Sequence, residues 1–409
     1  MTPASVSVVV VSRGRPDALA HCLSGIAQLD YPNFEVVVVA DAAGIIAAQA
    51  REHADHLKLI RFDQANISAA RNLGIAASAG DIVAFIDDDA VPEPTWLSYL
   101  CAPFGQPEVG ATGGFVRGRN GISFQWKAQA VDHTGQTISL QIDETRATIL
   151  HPTPERAIKT EGTNMAVRRD ILAELGGFDP AFRFYLDETD LNMRLAQAGW
   201  ATALVPLAEV HHGYLGSDQR SAERAPKDLV QLGASVAVFL KKYCPSEQHP
   251  HVWRRVVREQ RNRALRHMMH GRLEPRDVRK LMQGLSKGYK EGGARSNTRM
   301  TSLPRAAQGF HSFPKCFEGG ALLLSGRYAK RNTLRRKAAL HVKGGTRVTI
   351  FIYSYTALFH KVRFHPGGYW EHTGGVFGRS DRVQKLFTLA TFKRRVISET
   401  SRISAQRGL

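Results

Sequence analysis

The sequence predicts an α/β protein, with a Rossmann-like, mostly parallel sheet in its first half and a basic, largely helical region after it. Three observations predict this. Over the first 90 residues, β-branched and apolar runs alternate with helix signals, and repeated β-α-β units imply a parallel sheet with right-handed crossovers. One of these runs, Ile82–Ile86, ends in Asp87-Asp88-Asp89, and the carboxyl ends of parallel strands line the ligand crevice of such sheets. Charge divides the chain: residues 1–240 carry 19 Lys and Arg against 28 Asp and Glu, net −9, whereas residues 241–409 carry 36 against 9, net +27.

Val6–Val11 is a β-branched run suited to a central parallel strand. Pro16 follows, in place for a first helical turn, with Leu19, Leu23 and Ile26 on one face. After the turn Tyr31-Pro32-Asn33 come a second buried strand, Phe34–Val39, ending near Asp41, and a shorter third, Leu57–Phe62. Asn66 is placed to cap a helix containing Ala69, Leu73 and Ala76, which Gly80 stops, and the aspartate strand follows. Glycines and prolines break residues 105–160 into loops and short strands. Order returns with a strand at Thr163–Val167, a helix from about Asp170 to Leu175, the loop Tyr185–Glu188, a helix marked by Leu191, Leu195 and Ala198, and strand pieces at Ala201–Val205 and Glu209–His212.

From about Ala225 the pattern is helical: Val230–Tyr243, then the basic Trp253–Met269. Residues 286–317 read as loop-like, and the last 90 residues combine a basic stretch (Lys330–Lys337), an apolar strand or helix (Val348–Phe359) and a Gly-rich aromatic loop (Pro366–Gly378). The expected domains are 1–225, the α/β part that carries the aspartate strand; 226–285, basic and helical; and 286–409, basic and of unassigned fold.

Four dispersed cysteines, Cys22, Cys101, Cys244 and Cys316, indicate neither a disulfide framework nor a zinc site, and fit a reducing cytosol. The first residues enter a strand without signal-peptide character, and no run reaches the roughly 18–20 apolar residues of a membrane span. The expected place is therefore cytoplasmic, peripheral on the inner face of the cell membrane where the basic half meets anionic lipid. Neither G-x-x-x-x-G-K-[ST] nor G-x-G-x-x-G follows the first strand, which excludes the standard phosphate loops.

Chemistry concentrates in a few places. Carboxylates share Mg²⁺ with substrate phosphates, so Asp89 is the first choice of metal ligand, with Asp87 or Asp88 toward a ribose or bridging water. Transfer to a hydroxyl needs a base within hydrogen-bond reach of it; Glu188 is favoured and Asp187 is second, both on the loop, while Asp190 suits the first helical turn. Of the adjacent His211 and His212, strand alternation admits at most one to a cleft, where a neutral imidazole completes a metal site. Asp41, at the same sheet edge as Asp87, is placed to accept hydrogen bonds from a base or ribose. Arg71-Asn72 either contact a ligand or fix the loop.

Three ordered blocks, VSVVVVSRGRPDALAHCLSGIAQLDYPNFEVVVVAD, ARNLGIAASAGDIVAFIDDDAVPEPTWL and GTNMAVRRDILAELGGFDPAFRFYLDETDLNMRLAQAGW, resemble family 2 glycosyltransferases of GT-A fold, over roughly residues 5–217. The second and third blocks are similar to rhamnosyl-, galactofuranosyl- and exopolysaccharide-type bacterial members. The resemblance implies inverting transfer from a nucleotide-diphosphate sugar to a glycan or lipid-linked acceptor, helped by Mg²⁺ or Mn²⁺. It assigns the nucleobase to Asp41, the metal-bound diphosphate to Asp87-x-Asp89, the base to the Asp187-Glu188 pair and a metal contact to His212. The acidic pair stands in reverse of the family order, Arg13-Gly14 replaces an aromatic-Asn, and Ala40 replaces the first of two aspartates. The +27 half fits an anionic membrane surface; nucleic acid is disfavoured, because no DNA or RNA module signature is present. A polyanion binder, or a non-catalytic scaffold of polysaccharide assembly, is the alternative.

Overall fold

The computed structural model describes residues 3–213, 215–295 and 300–409. In chain order the first domain comprises β1 (Val6–Ser12), α1 (Pro16–Ile26), β2 (Phe34–Ala40), α2 (Ala42–Gln49), β3 (Leu57–Arg61), α3 (Ile67–Ala77), β4 (Ile82–Asp87), β5 (Ala90–Pro92), α4 (Trp96–Cys101), β6 (Val109–Arg117), β7 (Phe124–Trp126), β8 (Gln129–Asp132), β9 (Thr137–Ser139), β10 (Thr148–Leu150), β11 (Arg156–Lys159), β12 (Met165–Arg168), α5 (Arg169–Glu174), α6 (Asp187–Gln197) and β13 (Ala201–His212). The main sheet runs β10-β13-β6-β12-β4-β1-β2-β3, with β5 on β13 and β7 on β6. β1–β4 pair in parallel and β12 runs antiparallel between β4 and β6.

The valine runs of β1 and β2 are buried on both faces because helices cover both. Val8 and Val10 point to Leu19, Leu23 and Ile26 of α1, while Val9 points to Ile75 of α3 and Leu191 and Leu195 of α6. Asn66 does cap α3, accepting from the Ala69 amide at 3.1 Å. The helix does not bury Leu73, which is 37% exposed; its inner face is Ser68, Ala70, Arg71, Gly74 and Ile75. At Gly74 a Cβ would stand 2.5 Å from Val9 Cγ1, so the approach to β1 leaves no room for a side chain.

The strand pieces at 201–212 are one strand, β13, irregular between Val205 and Glu209. Asn164 fills that irregularity: its amide donates to the Phe115 and Ala208 carbonyls, at 2.9 and 2.8 Å, and its Oδ1 accepts from Trp96 Nε1 at 2.7 Å. A small sheet, β11-β8-β9, flanks the main one.

The C-terminal half begins with three helices, α7 (Val230–Tyr243), α8 (His249–Met269) and α9 (Pro275–Ala294). The expected loop from residue 286 is corrected here: α9 runs to Ala294, its glycines forming a face rather than breaking a helix. Gly288 and Gly292 lie four residues apart against the Val230 and Ala234 carbonyls of α7, where a Cβ would stand 1.9 and 2.2 Å away. Residues 296–299 of that expected loop lie outside the described residues. Then follow β14 (Ala321–Arg327), α10 (Arg331–Lys343), β15 (Arg347–Ser354), β16 (Lys361–His365), β17 (Tyr369–Gly375) and α11 (Phe392–Arg407). A four-stranded sheet of order β14-β15-β17-β16 thus joins the helices of this half, and the expected Gly-rich loop contains its strand β17. Among the described residues no helix is long and apolar enough to cross a membrane.

Candidate active site

The site forms where β1, β2 and β4 end. Asp87 closes β4, and β5 returns antiparallel to β13 with Ala90 opposite His212. That register sets His212 beside Asp89: Nε2 lies 3.2 Å from Asp89 Oδ1 and 3.9 Å from Asp87 Oδ2. The three side chains bring one ligand atom each within 4.8 Å of one another, a two-carboxylate, one-imidazole set suited to Mg²⁺ or Mn²⁺. Gln125, on β7, orients the imidazole. Nδ1–H donates to Gln125 Oε1 at 2.9 Å, which fixes the ring; a metal would take the place of the proton that Nε2 otherwise shares with Asp89. Burial alone would raise Asp89; the hydrogen bond and charge of His212, the charge of Arg15 and the Leu215 amide hold it below the usual carboxylate range. His211 points the other way, into a buried contact with Glu93 at 2.8 Å, so one histidine of the pair reaches the site, as alternation predicts.

Asp88 is corrected as a donor contact. Its side chain has no exposed surface, accepts from Ser12 Oγ at 2.7 Å and pairs with Arg15. Burial pushes it up to about 7 against the pull of Arg15. In the turn after β4, Asp88 points inward and ties the β1–α1 loop to the end of β4, which leaves Asp87 and Asp89 to the site. Arg15 itself went unnoticed in the sequence; it also reaches Asp89 at 3.5 Å.

Asp41 caps α2, a helix the sequence pattern did not reveal. Its Oδ1 accepts from the Gly44 amide at 2.9 Å and its Oδ2 from the Gly14 amide at 2.7 Å, which draws the Arg13-Gly14 loop over the end of β2.

Asp187 and Glu188 stand in the first turn of α6, not on the loop before it. The preceding Tyr185 and Leu186 both adopt left-handed backbone, φ 68° and 61°, without glycine. Such strain persists only where surroundings enforce it. Asp190 stands in the first turn of α6, as expected there, without a capping hydrogen bond, and is buried against Arg194, Lys242 and Tyr243. Asp187 is buried and paired with Arg71, whose other nitrogen reaches Asp87 at 3.4 Å. Arg71 therefore joins the end of β4 to the start of α6 and lies beneath the site. Burial opposes its charge, but Asp187 and Asp87 hold it above its ordinary value. Burial, with Glu188 beside it, pushes Asp187 up to about 8 against Arg71. Asn72 fixes the neighbouring loop through the Phe178 amide and carbonyl, both at 2.7 Å. Glu188 is the partly exposed member of the acidic pair.

A second pair, Lys159–Glu161, also escaped the sequence reading. Glu161 is pushed up to about 6, chiefly by burial, with Glu188 and Asp87 adding to it against Lys159. A lone Lys-x-Glu at a strand end carries no signal of its own.

A family model described as glycosyltransferase like family 2 matches residues 3–232. Probable glycosyltransferase YdaM of Bacillus subtilis (strain 168) is 29% identical over 227 residues, 50% of this chain and 49% of that protein. O-antigen biosynthesis protein RfbC of Myxococcus xanthus is 26% identical over 246 residues, 54% of this chain and 18% of that protein. The chain thus spans about half the length, or less, of these curated relatives. Among solved structures, the mannosyltransferase PcManGT from Pyrobaculum calidifontis in complex with GDP-Man and Mn²⁺ is 19% identical, covers 71% of this chain and 87% of its own, and superposes with a TM-score of 0.44. The ordered carboxylate blocks lie inside the matched segment, more than half of the chain, and the chain belongs to glycosyltransferase family 2.

Proposed function

We propose that the protein is an inverting glycosyltransferase that moves a sugar from a nucleotide-diphosphate donor to a hydroxyl of a glycan or lipid-linked acceptor in bacterial cell-surface polysaccharide synthesis. The observation that carries this is the cluster of Asp87, Asp89 and His212, tied by the buried Arg71–Asp187 pair to the start of α6, where Glu188 follows. Asp87, Asp89 and His212 would hold Mg²⁺ or Mn²⁺, which when bound neutralises charge on a leaving diphosphate. Asp41, at the ends of β1 and β2, suits the donor's base or ribose. Glu188 is the base: it is the acidic residue of the pair left to accept an acceptor proton, since Asp187 is engaged by Arg71. One available carboxylate favours a single displacement, hence inversion.

We place the acceptor at an anionic membrane surface. Supporting this is a patch on the C-terminal sheet where residues 355–359 and 386–389 meet around Phe377. Tyr355, Leu358, Phe359, Leu386, Phe387 and Leu389 are each about half exposed or more. The Phe377 ring lies tilted against Phe387 and Tyr355, with centroids at 5.4 and 6.1 Å, and Arg379 and Arg327 lie over Phe359 and Tyr355 at 4.6 and 4.4 Å. Apolar side chains rimmed by arginine suit the interface of an anionic bilayer.

The test is thermal shift of the purified protein with UDP-, GDP- and dTDP-sugars, with and without Mn²⁺, repeated on Asp89→Ala. A metal-dependent shift for one nucleotide, abolished in the variant, supports the reading and names the donor class. No shift on folded protein moves weight to the polyanion-binding or scaffold alternative.

A further inference from the structure

The basic surface next to Tyr185 takes no part in the chemistry above. Residues 217–224 fold back on themselves, with the Ser217 amide donating to the Arg220 carbonyl at 2.8 Å and Arg224 held at φ 67°. Between this turn and α8 lies a cleft of about 520 Å³, lined by five arginines and two histidines against a single acid, Glu223. Glu223 is taken by Arg272 at 3.1 Å. Among the described residues Arg220, Arg263 and Arg266 have no carboxylate partner. Burial, and then Arg220 and Arg266 after the opposing pull of Tyr185, hold Arg263 below its ordinary value. His267 and His270 add two imidazoles to the cleft wall.

Guanidinium groups bind phosphate oxygens with paired, charge-assisted hydrogen bonds. Three such groups on two facing elements carry more charge than one carboxylate offsets, which favours a diphosphate. The cleft borders the candidate base through Tyr185: the Arg220 guanidinium lies 5.7 Å from its ring, and Asp187-Glu188 follow after Leu186. None of the residues that line the cleft belongs to the Asp87, Asp89 and His212 cluster.

We propose that this cleft binds a diphosphate group of the acceptor and so brings the acceptor hydroxyl past Tyr185 toward Glu188. The proposal rests on the transferase reading. The diphosphate belongs either to a water-soluble glycosyl compound or to a lipid carrier, and the chemistry recognised is the same.

The test is calorimetry on the full chain in EDTA, which silences metal-dependent donor binding. The probes are inorganic pyrophosphate in solution and phosphatidylcholine vesicles with and without farnesyl diphosphate. Arg263→Gln/Arg266→Gln is compared with Arg254→Gln/Arg261→Gln, which removes equal charge from exposed positions of α8 outside the cleft. The expected result is pyrophosphate binding weakened about tenfold or more in the first variant, from loss of charged hydrogen bonds, and kept in the second. Tighter binding to the diphosphate vesicles supports the proposal and assigns a lipid carrier; equal binding supports it and assigns a soluble one. Absence of pyrophosphate binding, or equal loss in both variants, overturns it. Donor binding with Mn²⁺ is measured alongside: if pyrophosphate binds in the cleft but no sugar nucleotide binds, the transferase reading fails and the anion site stands.

Discussion

At the scale of single residues, the acidic pair at the start of α6 separates two tasks by burial. Asp187 is enclosed with Arg71, and Glu188 is left partly exposed. Glu188→Gln should keep the fold and the donor-induced thermal shift while lowering kcat by about 10²–10⁴, the usual contribution of a general base. Asp187→Asn should act on stability instead, costing about 1–3 kcal/mol by weakening the nearer of the two carboxyl partners of the buried Arg71, which keeps Asp87. Denaturant unfolding of both variants beside their turnover checks the contrast; a stable, inactive Asp187→Asn with an active Glu188→Gln would reverse the two roles. A second prediction concerns Gln125, whose Oε1 fixes the His212 tautomer. Gln125→Ala should weaken Mn²⁺ binding about 10- to 100-fold, as loss of an outer partner of a metal-bound histidine does, read by Mn²⁺ titration with electron paramagnetic resonance. Asp87, Asp89, His212 and Glu188 were legible because each lies in a compact motif beside a periodic element. Arg15, Gln125 and the Lys159–Glu161 pair were not, since their meaning arises from strands that meet only in three dimensions. Asp88 was misplaced because a run of three aspartates does not state which of them the turn after β4 points inward.

Among elements, those with strong local signals came through: β1, β2, β4, α1 and α7 lie within a residue or so of their expected bounds. Two of the misreadings share one cause, that glycine has two opposite meanings. In residues 284–292 the glycines recur every four residues and form the contact face of α9 on α7, whereas a local reading treats them as breakers. In β17 glycines close a strand whose charged member, Glu371, is buried between Arg335 of α10 and Arg363 of β16. This pairing allows a pH prediction. Burial alone would raise Glu371, but the hydrogen bonds from Arg335 and Arg363 and their charges hold it below its ordinary value. A carboxylate depressed on folding contributes stability that is full above its unfolded value, roughly 4.3, and is lost as pH falls through the lower folded value. Glu371→Gln should therefore be less stable than the wild type near neutral pH, by about 1–3 kcal/mol. The difference should shrink as the medium is acidified below pH of about 4.3. Urea unfolding at a series of pH values checks this, and a gap that widens in acid would contradict the assigned direction.

The molecule as a whole is held together across its charge boundary. Arg407, at the end of α11, donates to both oxygens of Glu93 at 2.9 and 3.0 Å, and Glu93 also contacts His211, the neighbour of the candidate metal ligand. Val91 beside Glu93 packs with Val362, Phe364 and Trp370 of the C-terminal sheet. The basic half is thus fixed against the strand that carries the site, and a surface bound by that half is oriented relative to the cleft. This gives the apolar patch around Phe377 its consequence. If it lies on a bilayer, affinity has two separable parts: apolar insertion, which salt leaves alone, and attraction of arginine and lysine to anionic lipid, about 1 kcal/mol per residue near the surface and screened by salt. Leu386→Ser/Leu389→Ser should lower binding to vesicles of phosphatidylcholine and phosphatidylglycerol at both low and high salt, since both side chains are largely exposed and support no core. Arg379→Gln/Lys385→Gln should lower binding at low salt and leave little difference at high salt. Vesicle sedimentation with each variant decides the matter. Unchanged binding in the leucine variant, with all affinity removed by salt, would leave attraction by the +27 half alone and take the patch out of the membrane contact.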